Sequence, residues 1–211
     1  MSEPTKVIIV DDHDTVRAGI SGILKSVSDI EVIGEARNGI EAIDLINTLR
    51  PDVVLLDAEM PKMNGRQVAR KITEREIPVR ILALSAHDDN QYILGMLKSG
   101  AAGYLTKDEV PELLVKAVRG VARGEDGWVS NRVSKRISSW GKSDWGERPT
   151  LTQVELQILR LLADKRIDDE IAKHLGISID QVRQSVEELC EKYNAVSRVD
   201  LIVRAKEEGL V

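Results

Sequence analysis

The sequence predicts a doubly wound α/β domain with a five-stranded parallel sheet, followed by an all-α domain of four helices. Three observations carry this. The apolar runs VIIV at 7, EVIGEA at 31, VVLL at 53, ILAL at 81 and AAGYL at 101 begin 24, 22, 28 and 20 residues apart. That is the spacing of repeated strand and helix units, and Val- and Ile-rich runs without polar alternation suit strands buried on both faces. From Leu151 onward the apolar period becomes helical, and between 121 and 149 both periods give way to Gly, Ser and Trp. The boundaries read from these changes are 1–120 for the α/β domain, 121–149 for a linker and 150–211 for the helical domain.

Composition narrows the class. With 42% hydrophobic and 31% charged residues and no Phe, the chain is an ordinary globular protein whose cores are built from Leu, Ile, Val and Ala. A net charge of −5 argues against indiscriminate attachment to nucleic acid or an anionic membrane. The lone cysteine, Cys190, cannot form an internal disulfide, which suits a reducing compartment. No apolar run approaches the roughly 18 residues of a spanning helix, and MSEPTK lacks the features of a signal segment. A cytoplasmic protein without membrane contact is expected.

The linker is basic, with seven Lys/Arg against four Asp/Glu from 119 to 149, and Val133 with Ile137 predicts one short amphipathic helix inside it. Trp128, Trp140 and Trp145 read equally as packing between the domains or as capping the α/β domain alone. In the helical domain, Thr152 with Glu155 and Ser178 with Gln181 have the spacing of capping boxes, and Ser197 opens the last helix. Helices joined by the tight turn LGIS form a helix-turn-helix.

In an open α/β sheet, ligands gather at the carboxyl ends of the strands where the winding reverses. The order 2-1-3-4-5 makes the four strands ending in Asp11 and Asp12, Asp57, Ser85 and Lys107 contiguous. Clustered carboxylates repel unless neutralised, and oxygen ligands of this density suit Mg²⁺. An ionised Asp57 can then attack a phosphoryl group, with Lys107 and the metal stabilising the developing charge and Ser85 donating a hydrogen bond. A rival reading takes DHDTV as a dehalogenase-like phosphatase with Asp12 as nucleophile and Asp14 as acid/base. It gives Asp57 no task, and Asp14 equally suits the first turn of a helix. His13 and His87 near the crevice read as surface residues.

The DD pair, LLDAEMP, LALSAHD and GYLTKD resemble the receiver domain of bacterial response regulators over about 118 residues. The resemblance implies Asp57 as phosphoacceptor and Asp11 and Asp12 as acid pocket. It places a metal on Asp12, Asp57 and the Glu59 backbone carbonyl, makes Ser85 and Tyr104 a switch pair, and has Glu59 and His87 tune the phosphate lifetime. A sensor histidine kinase is the implied phosphate source. The aromatic ring is expected to turn inward on phosphorylation, altering the face made by the fourth helix, fifth strand and fifth helix. Residues from Leu151 resemble the LuxR-type helix-turn-helix of NarL/FixJ response regulators through L-T-x-x-E and E-I-A-x-x-L-G-I-S.

In this resemblance the helix from Ile179 enters the major groove of double-stranded DNA and presents Gln181, Arg183, Gln184 and Glu187, Arg suiting guanine and Gln adenine. The chain departs from the family here. Gln181 and Ser185 stand where Thr and His are usual, Arg183 replaces Lys, and Glu187, Glu188, Asp168 and Asp169 add acid. From Thr150 to Val211 nine Lys/Arg face twelve Asp/Glu, so DNA affinity calls for dimerisation or help from the basic linker. The expectation is a transcription-regulating response regulator, not itself an enzyme, that forms a homodimer when phosphorylated. The alternative output is a helix-turn-helix acting through protein contacts.

Overall fold

The computed structural model describes residues 3–108, 111–139 and 150–211. Strands β1 (Thr5–Val10), β2 (Ile30–Ala36), β3 (Val53–Leu56), β4 (Arg80–Ser85) and β5 (Gly103–Thr106) alternate with helices α1 (Asp14–Lys25), α2 (Gly39–Leu49), α3 (Gly65–Glu74), α4 (Asn90–Lys98) and α5 (Pro111–Ala122). All pairings are parallel, in the order β2-β1-β3-β4-β5, and a sixth strand follows β5. Side chains alternate across the sheet. Val7 and Ile9 pack with Ile20 and Leu24 of α1 and Val118 of α5, whereas Ile8 and Val10 pack with Ile46 of α2, Val68 of α3 and Met96 of α4. The winding therefore reverses between β1 and β3, and the crevice opens at their carboxyl ends.

The five expected strands are all present in the expected order, and the sheet carries one more. Trp128–Val129 form β6, parallel to β5, so the sheet runs into the segment read as linker. Its two residues are too short to set up a period. What admits the strand is Gly103, where a Cβ would lie 2.3 Å from the Trp128 carbonyl oxygen. Helix α6 (Asn131–Ser139) follows, and its Val133 and Ile137 are buried in the cluster that holds Tyr104. Trp140 and Trp145 lie outside the described residues.

The helical domain comprises α7 (Gln153–Ala163), α8 (Asp168–Leu175), α9 (Ile179–Lys192) and α10 (Arg198–Glu207). The side chains of Thr152, Ser178 and Ser197 accept hydrogen bonds from the backbone amides of Glu155, Gln181 and Asp200, satisfying amides at three helix starts. Helix α10 is buried on two sides. Leu201, Ile202 and Ala205 pack with Ile158, Ile171 and Val182, while Val199 and Val203 join the α/β core beside Val133 and Ile137. Two buried faces explain why every residue from Val199 to Ala205 is buried, the charged Asp200 and Arg204 among them, paired with each other.

Gly65 fixes the loop after β3, because a Cβ there would fall 1.9 Å from the Asp57 carbonyl oxygen. Gly65→Ala is expected to lower the thermal midpoint. Gly19→Ala, in exposed α1 with nothing within 4 Å of the added atom, should raise stability by about 1 kcal/mol. Calorimetry of both variants distinguishes close approach from simple helix propensity.

Candidate functional site

Parallel pairing brings the ends of β1, β3 and β5 to one edge. The Asp57 amide donates to the Val10 carbonyl at 2.9 Å and the Lys107 amide to the Ser85 carbonyl at 2.9 Å, so the ladder itself sets the site's spacing. Lys107 Nζ lies 2.6 Å from Asp11 Oδ2 and 2.7 Å from Asp57 Oδ2. Asp11 and Asp57 are nearly fully buried. Burial raises the Asp57 carboxyl above its ordinary value; Lys107 opposes the rise and the Asp11 charge adds to it. Burial alone would lower the Lys107 ammonium, but its hydrogen bonds to Asp11 and Asp57 hold it above the usual lysine value.

Asp12 behaves differently. Its Oδ1 is buried without a hydrogen-bond partner, His13 Nδ1 lying 2.8 Å away outside hydrogen-bond geometry. Ligand atoms of Asp11, Asp12, His13 and Asp57 fall within 4.8 Å of one another. An orphaned carboxylate oxygen beside two others fits a hard divalent cation, whose ligands are oxygens. Asp12, Asp57, Glu59, His87 and Lys107 line one pocket of about 490 Å³.

Two residues past Asp57, Glu59 Oε2 stands 2.8 Å from Nε2 of His87 and accepts a hydrogen bond from the Tyr92 hydroxyl at 3.2 Å. The rings of His87 and Tyr92 stack with centroids 4.5 Å apart. Ser85 is wholly buried and its Oγ accepts from the His87 amide at 3.2 Å, while the Tyr104 hydroxyl donates to the His87 carbonyl at 2.6 Å. Residue 87 thus joins Ser85 to Tyr104 through its backbone and to Glu59 through its ring. Tyr104 is also wholly buried, which pushes its phenol up to about 12. The inward ring position, expected only on phosphorylation, is occupied in this structure. The face beside β5 and α4 carries β6 and α6.

The residues of the phosphatase rival do not converge. Asp14 is exposed at the start of α1, paired with Arg17 and 3.5 Å from Arg37, outside the pocket. Arg17 itself escaped the sequence reading. It is buried and donates to the Asp11 carbonyl at 2.7 Å, bracing the loop after β1. Tyr92 escaped too, since only the fold brings α4 over Glu59.

On α9, Gln181, Arg183, Gln184 and Glu187 are all exposed along the helix, whose Val182, Val186 and Leu189 are buried. Gln184 donates to Glu188 at 3.0 Å, and Arg183 Nε lies 3.4 Å from Asp168 of α8.

An acidic crevice at the winding reversal of a parallel sheet, joined to a capped helix-turn-helix, defines a two-component signalling regulator with a DNA-binding output. Residues 7–119 match the response regulator receiver domain and residues 149–205 match the luxR family of bacterial regulatory proteins, so the chain belongs to the response regulator family. It is 34% identical to the nitrate/nitrite response regulator NarL of Escherichia coli over 99% of this chain and 98% of that one. It is 31% identical to the transcriptional regulatory protein DegU of Brevibacillus brevis, over 98% and 94% of the two chains. The solved structure of the response regulator ChrA aligns over the whole of both chains at 30% identity and a TM-score of 0.57. No helix among the described residues is long and apolar enough to cross a membrane.

A raised native pKa means that the folded state binds the Asp57 proton more tightly than the unfolded state does. The resulting stability is complete below the ordinary value of 3.8 and is lost as pH rises through the native value. Asp57→Asn is therefore expected to melt at a higher temperature than the unsubstituted chain at pH 7, with the difference shrinking toward pH 3. A variant that melts lower at neutral pH would show that the Lys107 pairing outweighs the cost of burial.

Proposed function

We propose that Asp57 accepts a phosphoryl group from a sensor histidine kinase and that the resulting charge frees the helix-turn-helix to bind paired half-sites in duplex DNA as a homodimer. The observation that carries this reading is the Lys107 ammonium bridging Asp11 and Asp57 beside the orphaned Asp12 oxygen. In the reaction an Asp57 carboxylate oxygen attacks phosphorus, the bond from phosphorus to the kinase imidazole breaks, and the imidazole nitrogen keeps the electron pair. Lys107 moves its contact from the carboxylate to a phosphoryl oxygen, and the Ser85 hydroxyl donates to another. Mg²⁺ held by Asp12, Asp57 and the Glu59 carbonyl would supply positive charge against the phosphoryl oxygens. Glu59 and His87 flank the phosphoryl position and govern the approach of water, which sets the lifetime of the acyl phosphate.

Ser85 turning toward the phosphate draws on the His87 amide, and Tyr104 is hydrogen-bonded to the carbonyl of that same residue. Tyr104 shares a cluster with Val133 and Ile137 of α6 and Val199 and Val203 of α10. A shift in this pair therefore loosens the seat of α10, and a two-state contact between domains is biased by one added charge. On the output side, Arg183 suits guanine, Gln181 and Gln184 suit adenine and Glu187 suits the cytosine amine.

Phosphate incorporation from a small phosphoryl donor tests the chemistry. Asp57→Ala is expected to abolish it, whereas retention there with loss in Asp12→Ala would restore the phosphatase reading. Added Mg²⁺ should raise the melting temperature of the unsubstituted chain by mass action and should do so less in Asp12→Ala. Capture of genomic DNA fragments across a salt series tests the output. Tighter binding after phosphorylation, falling steeply with salt, is expected. No capture in either state would turn the output toward protein contacts.

A further inference from the structure

A line of alternating charge crosses the domain boundary. Arg80 at the start of β4 lies 2.5 Å from Asp126, which precedes β6. Arg198, the first residue of α10, lies 3.2 Å from Asp126 Oδ2 through Nε and 2.7 Å from Asp168 Oδ1 through Nη2. Asp168, the first residue of α8, turns its other oxygen to Arg183 Nε at 3.4 Å. The three central side chains are largely withdrawn from water, at 13% exposure for Asp126, 22% for Arg198 and 20% for Asp168, so they interact with less screening than a surface pair. Arg183 at the far end is 64% exposed, and Asp180, 3.9 Å away, is its other acidic neighbour.

We propose that Asp168 positions Arg183 and that Arg198, shared between Asp168 and Asp126, sets how firmly it holds that arginine away from DNA. One guanidinium serves two carboxylates across the boundary. While the domains are docked, Asp126 takes part of the Arg198 charge and Asp168 keeps negative charge for Arg183. Once Asp126 withdraws, Arg198 belongs to Asp168 alone, and Arg183 is released toward a base edge. The acid at 168, which counts against DNA binding by charge alone, thereby makes the reading arginine sensitive to domain docking. Lys165 keeps the line in register by donating to the Gly127 carbonyl at 3.2 Å and lying 3.7 Å from the centre of the Trp128 ring.

A simple latch and this relay differ in sign. If Arg198 only fastened the domains together, Asp126→Asn and Arg198→Gln would act alike. In the relay, Asp126→Asn frees Arg183, whereas Arg198→Gln leaves Asp168 uncompensated and tightens its hold.

The proposal rests on the reading that α9 binds DNA, so the first measurement avoids DNA. In the full unphosphorylated chain, the Arg183 Nε–Hε resonance is assigned by its loss in Arg183→Lys. It should move toward the free-arginine position in Asp126→Asn, move the opposite way in Arg198→Gln, and return in Arg198→Lys, which keeps the charge. Shifts of one sign in the first two, or no shift in either, would overturn the relay, and the backbone spectrum of each variant reports whether it is folded.

The second measurement uses captured duplex and the phosphorylated chain. Arg198→Gln should bind about fivefold more weakly, the size of one ion pair, and Asp168→Asn added to it should restore binding. Loss without restoration would overturn the proposal. An Arg183→Ala chain that binds duplex as well as the unsubstituted chain would refute the DNA reading of Arg183 while leaving the resonance result to judge the relay.

Discussion

The carboxyl end of the sheet is organised around one ammonium. Asp11 and Asp57 are both buried, and two carboxylates in a shared crevice cannot both stay ionised without positive charge between them. Lys107 supplies that charge from the residue after β5, two strands away from β3, and its backbone is fixed by the Ser85 carbonyl. The register of β3, β4 and β5 is therefore constrained by electrostatics at one end as well as by Val and Leu along their length. A one-residue slip in β5 would turn Lys107 to the opposite face and leave the acids unpaired.

Two routes join the sheet to the helical domain, and they differ in character. The apolar route runs through the wholly buried Tyr104 to Val133, Ile137, Val199 and Val203. Close-packed interiors do not deform continuously, so a ring displaced at Tyr104 repacks its neighbours or moves α10 as a body. The polar route runs along the opposite end of the sheet from Arg80 through Asp126 and Arg198 to Asp168. In the proposed switch the first route sets whether the domains dock, and in the proposed relay the second carries the consequence of docking to a single side chain on α9.

Legibility followed residue type and repeat length. Strands β1, β3, β4 and β5 were readable because each holds or adjoins a run of four or more apolar residues, and β2 because the shorter VIG of EVIGEA keeps the same interval; the helix starts were readable because Thr152, Ser178 and Ser197 are good caps. Strand β6 was not, since two residues carry no period and its place depends on the bare backbone of Gly103. At the site, Asp11, Asp12, Asp57, Ser85 and Lys107 were visible because the ends of parallel strands must converge. Tyr92 and Arg17 were invisible because their roles depend on how a helix is turned over the crevice. The charge line through Asp126, Arg198 and Asp168 joins residues up to 72 positions apart and has no local signature at all.

That last gap bears on how the acidic output domain should be understood. A net charge of −3 over residues 150–211 treats each acid as an equal penalty on DNA affinity. The structure divides them. Asp200 is fully buried against Arg204, Glu155 closes a cap and pairs with Lys192 at 2.5 Å, and Asp168 faces two arginines. These acids are neutralised within the domain and present little field to a duplex. The charge a phosphate backbone would meet on α9 comes from exposed Asp180, Glu187, Glu188 and Glu191 against Arg183 and Lys192. A surface of that balance gains little affinity from counterion release by one copy. Two copies on paired half-sites double every favourable contact while the cost of aligning them is met once, so the weakness of the single reader is itself a reason for the pair to act together.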